Sequence, residues 1–180
     1  ASSDPQQLRY YVERALLPTE QRVIDFVAGS DADFASINDG TLTIVSQLLD
    51  KSQSELIQKR VSAGRSVIVV GATQDVCRQA FELAGIPAPE ITEAIVEGYA
   101  MLSDVDTSHS LFAPFHEAKL ADFTKLPIWK HRSIETPGTD APSPIRVLAR
   151  FDGGGPAIVE LAAGEGRVTL FLFGWHSPDS

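Results

Sequence analysis

One stretch of the sequence, residues 65–85, limits the possible fold more than any other. Val67 to Val70 is an unbroken β-branched run, which is typical of a strand covered on both faces in the middle of a sheet. Thr73 can cap a following helix through its hydroxyl group, and Gly85 can end that helix. Between these two residues, apolar side chains repeat at helical spacing at Val76, Ala80, Leu83 and Ala84. The stretch therefore predicts a buried strand, a tight turn and a helix.

The turn that begins at Gly71 lies where an α/β protein binds ligands, because ligands bind at the carboxyl ends of parallel strands. The predicted ligand-binding residues are Ala72, Thr73, Gln74 and Asp75. The turn has one glycine and no lysine, so it matches neither a dinucleotide-binding loop nor a P-loop. It also has no Ser or Cys nucleophile, and Cys77 falls on the apolar stripe of the helix, where a packed core thiol is expected. We therefore predict no catalytic residue here.

Composition indicates one globular domain over residues 1–180, since 43% of the residues are hydrophobic and 22% are charged. The net charge of −9 disfavours nucleic acid and anionic membrane surfaces as partners, because their phosphates would be repelled. No apolar run approaches the length of a membrane span, so direct membrane insertion is not expected. A single cysteine excludes an internal disulfide and leaves the cellular compartment open.

The first half of the chain alternates helices and strands. An amphipathic helix is expected from the cap Asp4 to about Leu16, followed by strands at Arg22–Val27 and Leu42–Ser46. A capping box at Ser52–Glu55 predicts the start of a further helix. Together with residues 65–85, this order predicts an α/β fold with a parallel sheet, a flavodoxin-like three-layer sandwich.

The second half is predicted to be mostly β. Strand-like segments run over Glu93–Leu102 and Pro127–Ser133, and a short helix is expected within Leu111–Phe123. Three strong strand signals then follow at Ile145–Phe151, Ala157–Leu161 and Arg167–Phe173. Glycine-rich turns of hairpin length join these three strands, so they predict a C-terminal antiparallel meander.

Four segments, in order along the chain, resemble one known family. They are Leu8–Leu17, Val61–Gly71, Ser108–Phe115 and Leu148–Phe171, the last of which reads LARFDGGGPAIVELAAGEGRVTLF. The sequence resembles the class I glutamine amidotransferase-like domains of BatA-type, aerotolerance-operon bacterial membrane proteins that also contain a von Willebrand A domain. It departs from the motifs of that family at Arg65, Gly71, Ser110, Gly153, Ile158 and Thr169.

This resemblance implies the class I glutamine amidotransferase-like fold without its catalysis. In true amidotransferases the corresponding turn holds a Cys nucleophile, whereas Gly71, Ala72 and Thr73 stand there in this sequence. The resemblance also implies a periplasmic or otherwise extracytoplasmic domain, whose partners are other domains of its parent protein or envelope proteins. Because the sequence begins without methionine and ends soon after a strand, we expect a domain of a longer, membrane-anchored protein.

Other residues with possible chemistry are better explained by ordinary structural roles. The four histidines show no zinc-binding spacing, so surface histidines and no metal site are expected. Asp104 and Asp106 could bind a hard cation, but the glycine and the terminal Glu of a calcium loop are missing, which favours a solvated turn. Asp75 suits the first turn of a helix with or without a ligand. Trp129 and Trp175 are expected in the core or at its edge; joint exposure would indicate a partner or carbohydrate surface.

Two functions are consistent with these residues. The favoured hypothesis is a non-catalytic amidotransferase-like module for binding or assembly in a larger envelope protein, with no cofactor. The alternative is a hydrolase that acts on a sugar or amide substrate on the same fold. The structure around Ala72 separates the two. Two or more polar side chains with shifted pKa values in a cleft would favour the hydrolase, and a turn plugged by apolar groups would exclude it.

Overall fold

A computed structural model of the chain describes residues 8–15, 42–115, 124–135, 143–175 and 179. The chain divides into two compact units, residues 1–41 and 42–180. In the first unit, helix α1 spans Leu8–Ala15 and contains an ion pair between Arg9 and Glu13 at 2.5 Å. The expected cap Asp4 and the expected strand Arg22–Val27 lie outside the described residues. That residues 1–180 form a single domain stays a prediction.

A six-stranded mixed sheet forms the centre of the second unit, with the strand order β1-β2-β8-β7-β6-β4. Its strands are β1 Leu42–Val45, β2 Ser66–Val70, β4 Leu102–Ser103, β6 Ile145–Phe151, β7 Pro156–Ala163 and β8 Gly166–Phe171. Strand β2 is parallel to both β1 and β8, and the remaining pairs in this sheet are antiparallel. A second, two-stranded antiparallel sheet pairs β3 Ile91–Glu93 with β5 Arg132–Ile134.

The mixed α/β class and the C-terminal antiparallel meander are confirmed. The β-branched run forms an internal strand, because β2 lies between β1 and β8, and Val67, Val69 and Val70 are buried. The meander is continuous with the parallel part of the sheet, since its last strand, β8, pairs along the whole of β2. Hydrogen bonding to two neighbours makes β2 an internal strand, next to the edge strand β1.

Two helices cover one face of this sheet, α2 Lys51–Ser62 and α3 Gln74–Ala84, which contact each other and β8. Both predicted ends of α3 are confirmed. The Thr73 hydroxyl accepts a hydrogen bond from the Val76 amide at 3.3 Å, and Gly85 ends the helix in the left-handed conformation with φ of 72°. Glycine suits that position because it has no Cβ to clash.

The predicted start of α2 is wrong. The cap is Asp50, whose Oδ1 accepts from the Gln53 amide at 2.9 Å, while Gln53 Oε1 accepts from the Asp50 amide at 3.1 Å. Ser52 donates its hydroxyl to Asp50 Oδ1 and so supports this earlier cap. Both Asp50–Gln53 and Ser52–Glu55 have capping-box spacing, and the ionised Asp acceptor also suits the positive end of the helix.

Two strand predictions in the middle of the chain are also wrong in extent. Only the ends of Glu93–Leu102 lie in strands, and Pro127–Ser133 overlaps β5 only at residues 132–133. Between those ends the two segments meet at an isolated bridge between Ala100 and Ile128. The apolar content misled the prediction because several of these side chains face solvent, Ile95 among them at 98% exposure.

The opposite face of the sheet packs on an aromatic cluster. Phe112 comes from a 3₁₀ helix, Ser110–Phe115, which is the short helix expected in this region; residues 116–123 lie outside the described part. The rings of Phe151 and Phe171 both meet Phe173 edge to face, with centroids 6.0 and 5.7 Å apart. Ile68 of β2 packs against the same cluster, so β2 is covered on both faces.

Candidate functional site

A cleft of about 580 Å³ lies at the carboxyl end of β2. Its lining residues are Ala72 and Thr73 after β2, Glu93 and Ala94 at the end of β3, Lys130 and Arg132 at the start of β5, and Asp179. A volume of this size is typical of small-molecule sites. Four separate segments of the chain therefore meet where the topology predicts a site.

Two of the four predicted binding residues lie on this cleft. Ala72 and Thr73 line it, whereas Gln74 and Asp75 are not among its lining residues. Asp75 instead accepts a hydrogen bond from Arg78 at 2.6 Å on the exposed side of α3. This ion pair explains Asp75 as a helix residue, and a role for Gln74 or Asp75 in binding stays a prediction.

Arg132 connects the walls of the cleft. Its side chain is 5% exposed and donates from Nε to Glu93 Oε1 at 3.0 Å and from Nη1 to the Gly71 carbonyl oxygen at 2.9 Å. Nη1 also forms an ion pair with the buried carboxylate of Asp179. Burial by itself would lower the pKa of Arg132, but the hydrogen bonds to Asp179 and Glu93 outweigh it and raise that pKa. Arg132 is therefore a permanent cation and cannot act as a general acid or base.

Asp179 joins the cleft to the end of the sheet. Its Oδ2 also accepts from the Gly174 amide at 3.0 Å, and its carbonyl oxygen accepts from the Trp129 amide at 2.7 Å and the Lys130 amide at 3.3 Å. These bonds fix the backbone of the segment that leads into β5. Lys130 is exposed on the cleft wall and makes no ion pair with any residue of the described ranges.

Cys77 lies beneath the turn and not on the cleft. Its side chain is fully buried, and its Sγ donates to the Gly71 carbonyl oxygen at 3.7 Å. Burial raises the pKa of the thiol to about 12. The prediction of a packed core thiol is confirmed, and a protonated, inaccessible sulfur cannot serve as a nucleophile.

We expect Cys77 to resist thiol reagents in the native protein. At pH 8, labelling by iodoacetamide should proceed only as fast as the protein unfolds, whereas labelling in 6 M guanidinium chloride should be complete within minutes. Because the thiolate is favoured only in the unfolded chain, stability should fall as the pH rises from 9.0 towards about 12. This fall should be smaller in Cys77→Ala, measured by urea unfolding. Rapid native labelling at pH 8 would contradict the burial.

Two histidines in the described residues do not match the expected surface positions. His109 is buried; its Nδ1 accepts from the Leu111 amide at 3.2 Å, so Nε2 carries the proton and donates to Glu160 at 3.0 Å. His131 is half-buried against the ring of Phe151, and this burial lowers its pKa. Neither residue lines the cleft. The prediction that His109 lies at the surface is wrong, because the loop that contains His109 folds back on the sheet. The spacing of histidines along the sequence does not show such a contact. His116 and His176 lie outside the described residues.

The acidic loop is explained by arginine pairing. Asp106 accepts from the Ser108 hydroxyl and from Arg146, both at 2.5 Å, and these bonds lower the pKa of Asp106. Arg150 lies 3.6 Å from Asp104. Both carboxylates are therefore paired with arginines. Within the described residues, no group of three or more His, Cys, Asp or Glu side chains could hold a metal ion.

The two tryptophans are not exposed together. Trp129 is 49% exposed and meets the ring of Tyr99 edge to face, whereas Trp175 is partly buried against Phe171 and the aromatic cluster. The joint exposure that would indicate a carbohydrate or partner surface is therefore not found. The exposed ring pair Tyr99–Trp129 is one the sequence did not predict.

Sequence reasoning missed four of the polar residues that line the cleft: Glu93, Lys130, Arg132 and Asp179. The sequence offered one signal, which is that Arg132 lies in a segment with strand-like apolar content. An arginine that is buried in a strand normally has a carboxylate partner. That signal indicates a buried ion pair but does not identify the partners, which lie 39 and 47 residues away along the chain.

The fold and cleft define a mixed α/β protein whose candidate site, with four charged side chains, lies at the carboxyl end of the internal strand β2. No known protein-family profile matches the sequence, and no curated protein is significantly similar to it. Among solved structures, a cytoplasmic protein from Salmonella typhimurium is similar with a TM-score of 0.55 and 10% identity, over 80% of this chain and 64% of that chain. A cytoplasmic protein from Salmonella typhimurium LT2 has a TM-score of 0.47 and 14% identity, over 73% of this chain and 59% of that chain.

The exo-β-1,4-mannosidase Op5Man5 from Opitutaceae bacterium strain TAV5 has a TM-score of 0.44 and 13% identity, over 72% of this chain and 20% of that chain. The chain thus matches less than two thirds of the length of each of these three proteins. At 10% identity, the likeness to the first Salmonella protein supports the mixed α/β fold.

The expected periplasmic or extracytoplasmic location is contradicted. The Salmonella typhimurium protein that is similar with a TM-score of 0.55 is named as a cytoplasmic protein. The expectation came only from the family resemblance, and composition had left the compartment open. Separately, none of the helices in the described ranges has the length and apolar character that crossing a bilayer requires.

Proposed function

We propose that this chain is a non-catalytic, amidotransferase-like binding module whose ligand occupies the cleft over Ala72 and Thr73. The supporting observation is the turn itself. Ala72 and Thr73 line the cleft, and the Thr73 hydroxyl caps α3, while the Cys77 thiol is buried beneath the turn and its raised pKa keeps it protonated. The flavodoxin-like, three-layer arrangement is part of this proposal, supported by the parallel strands β1, β2 and β8 and by the α2–α3 layer.

The composition of the cleft favours binding over chemistry. It is open and lined in part by four charged side chains, so the turn is not plugged by apolar groups, which would have excluded a hydrolase. Arg132 is tied to both carboxylates of the cleft, and the raised pKa of its guanidinium group keeps it charged. Proton transfer near neutral pH requires a group that can gain and lose a proton there, and a permanently charged Arg132 cannot do so.

A hydrolase acting on a sugar or amide is the alternative, favoured by one observation. Two carboxylates, Glu93 and Asp179, belong to the same cleft, and paired carboxylates are what glycoside hydrolysis requires. Against it, both carboxylates bind the same guanidinium group, and Asp179 is buried with its Oδ2 fully engaged. Binding therefore remains the better-supported function.

Ligand screening by two-dimensional ¹H–¹⁵N NMR tests the proposal. Small acids, amides and monosaccharides should include ligands that shift the amide signals of Ala72, Thr73 and Lys130. The variant Ala72→Phe should abolish these shifts by filling the cleft, whereas Ala162→Phe, at an exposed position on β7, should preserve them. No product should appear on long incubation. If the protein turns over a substrate and Glu93→Gln abolishes this turnover, the chain is a hydrolase and not a binding module. If no compound binds in the cleft, both proposed functions are refuted.

A further inference from the structure

In the cleft, the carboxylate acceptors already have hydrogen-bond donors, whereas some of the donor groups have no acceptor among the described residues. On the acceptor side, Glu93 Oε1 receives Arg132 Nε, and Asp179 Oδ2 receives both Arg132 Nη1 and the Gly174 amide. Both carboxylates are therefore already offset by a cation. A ligand that offered only donors would have to compete with Arg132 for these oxygens.

The donors, by contrast, are partly unused. Three of the five N–H groups of Arg132 bind Glu93, Gly71 and Asp179, and the two on Nη2 have no acceptor among the described residues. The side chain of Arg132 is 5% exposed, so bulk water has little access to it. A buried N–H group without an acceptor costs free energy, which a ligand acceptor would recover. Lys130 adds an ammonium group on the same cleft with no ion pair in the described chain.

The charges of the cleft limit how negative that acceptor can be. Lys130 and Arg132 balance Glu93 and Asp179, and the N-terminus of α3, whose cap Thr73 lines the cleft, adds partial positive charge. A single negative charge suits this surplus. A phosphate dianion would be repelled by Glu93, which is half-exposed, and by the net charge of −9 on the chain.

We propose that the ligand of this cleft presents a single carboxylate, which pairs with Lys130 and accepts hydrogen bonds from Arg132. This inference rests on the proposed binding function and specifies its ligand class. The two N–H groups of Arg132 Nη2 can donate to a carboxylate in charge-assisted hydrogen bonds, and the exposed ammonium of Lys130 supplies the charge that Arg132 shares with its two acidic partners. The carboxylate belongs either to a small organic acid or to the C-terminus of a peptide.

NMR titration of the full chain with matched probes tests this inference. Propionate should shift the amide signals of Ala72, Thr73 and Lys130 at concentrations at least tenfold below those needed for propionamide or inorganic phosphate. Lys130→Gln should weaken propionate binding by about tenfold, which corresponds to about 1.4 kcal/mol. Lys59→Gln makes the same charge change at an exposed position on α2 and should leave binding unaltered. Added salt should weaken binding to the wild type more than to Lys130→Gln.

A tripeptide with a free C-terminus, compared with its C-terminal amide, distinguishes the two sources of the carboxylate. If the free peptide binds more tightly than propionate and its amide does not bind, the carboxylate belongs to the C-terminus of a peptide. In any other case it belongs to a small organic acid. If propionamide or phosphate binds as well as propionate, or if Lys130→Gln binds propionate normally, the carboxylate inference is wrong. In that case shifts that disappear in Ala72→Phe would still support a binding cleft. If no probe shifts the cleft signals, the inference and the proposed function both fail.

Discussion

Replacing Arg132 by methionine is expected to lower the free energy of unfolding by about 3–5 kcal/mol, as is usual when one partner of a buried ion pair is removed. Methionine fills similar space but donates no hydrogen bonds. The carboxylate of Asp179, whose side chain is 7% exposed, would lose its cation, and the Gly71 carbonyl oxygen would lose the Arg132 hydrogen bond. Both losses fall on groups that water reaches poorly.

Urea unfolding followed by tryptophan fluorescence measures this loss. Arg146→Met is the matched control, because the Arg146 side chain is 54% exposed and its partner Asp106 lies at the surface, so only a small fraction of the Arg132 effect is expected. In the double variant Arg132→Met with Asp179→Asn, part of the stability should return. The introduced amide side chain would carry no charge and could still accept from the Gly174 amide. Equal losses for the two single variants would show that Arg132 does not hold the cleft together.

The second large effect is expected at Gly71, where alanine should cost about 3 kcal/mol or more through overpacking. A Cβ atom there would lie 2.6 Å from the carbonyl oxygen of Phe171 and would overlap Cys77 Sγ. The backbone cannot easily move away, because the Gly71 amide donates to the same Phe171 oxygen at 2.8 Å. The end of β2 would have to separate from β8.

Comparison with Gly153→Ala isolates this steric effect. A Cβ at Gly153 would meet no atom within 4 Å, so its free energy of unfolding should stay within about 0.5 kcal/mol of the wild type. Adding Cys77→Ala to Gly71→Ala should recover only part of the loss, since the contact with the Phe171 backbone remains. Full recovery would show that the thiol alone limits the space. Gly71→Ala with wild-type stability would contradict the close packing at the turn.

The local features of the fold could be predicted from the sequence because each depends on neighbouring residues. The run Val67–Val70 was predicted as an internal strand, and Thr73 and Gly85 as the ends of α3. Alternating apolar residues and glycine turns gave the three strands of the meander. Where two equivalent local patterns competed, as for Asp50 and Ser52 at the start of α2, the sequence alone did not choose correctly.

The candidate site was predicted only in part, for the same reason. Ala72 and Thr73 follow β2 directly, so the rule that ligands bind at the ends of parallel strands placed them on the cleft. Glu93 and Arg132 come from segments whose apolar content gave the wrong strand boundaries, and His109 was expected at the surface but is buried. The family resemblance predicted none of the residues on the opposite wall of the cleft, and the location that it implied is contradicted by the similarity to a protein named as cytoplasmic.

The amino-acid sequence by itself determined the α/β class, the internal strand β2, the capped helix α3 and a turn without a nucleophile. Periodicity, capping and turn chemistry act over a few residues and can therefore be recognised in a linear string. Only the tertiary structure decided that the turn borders an open cleft with four charged side chains. The carboxylates that bind Arg132 are 39 and 47 residues away from it, and their meeting depends on how β3 and β5 pair beside the main sheet.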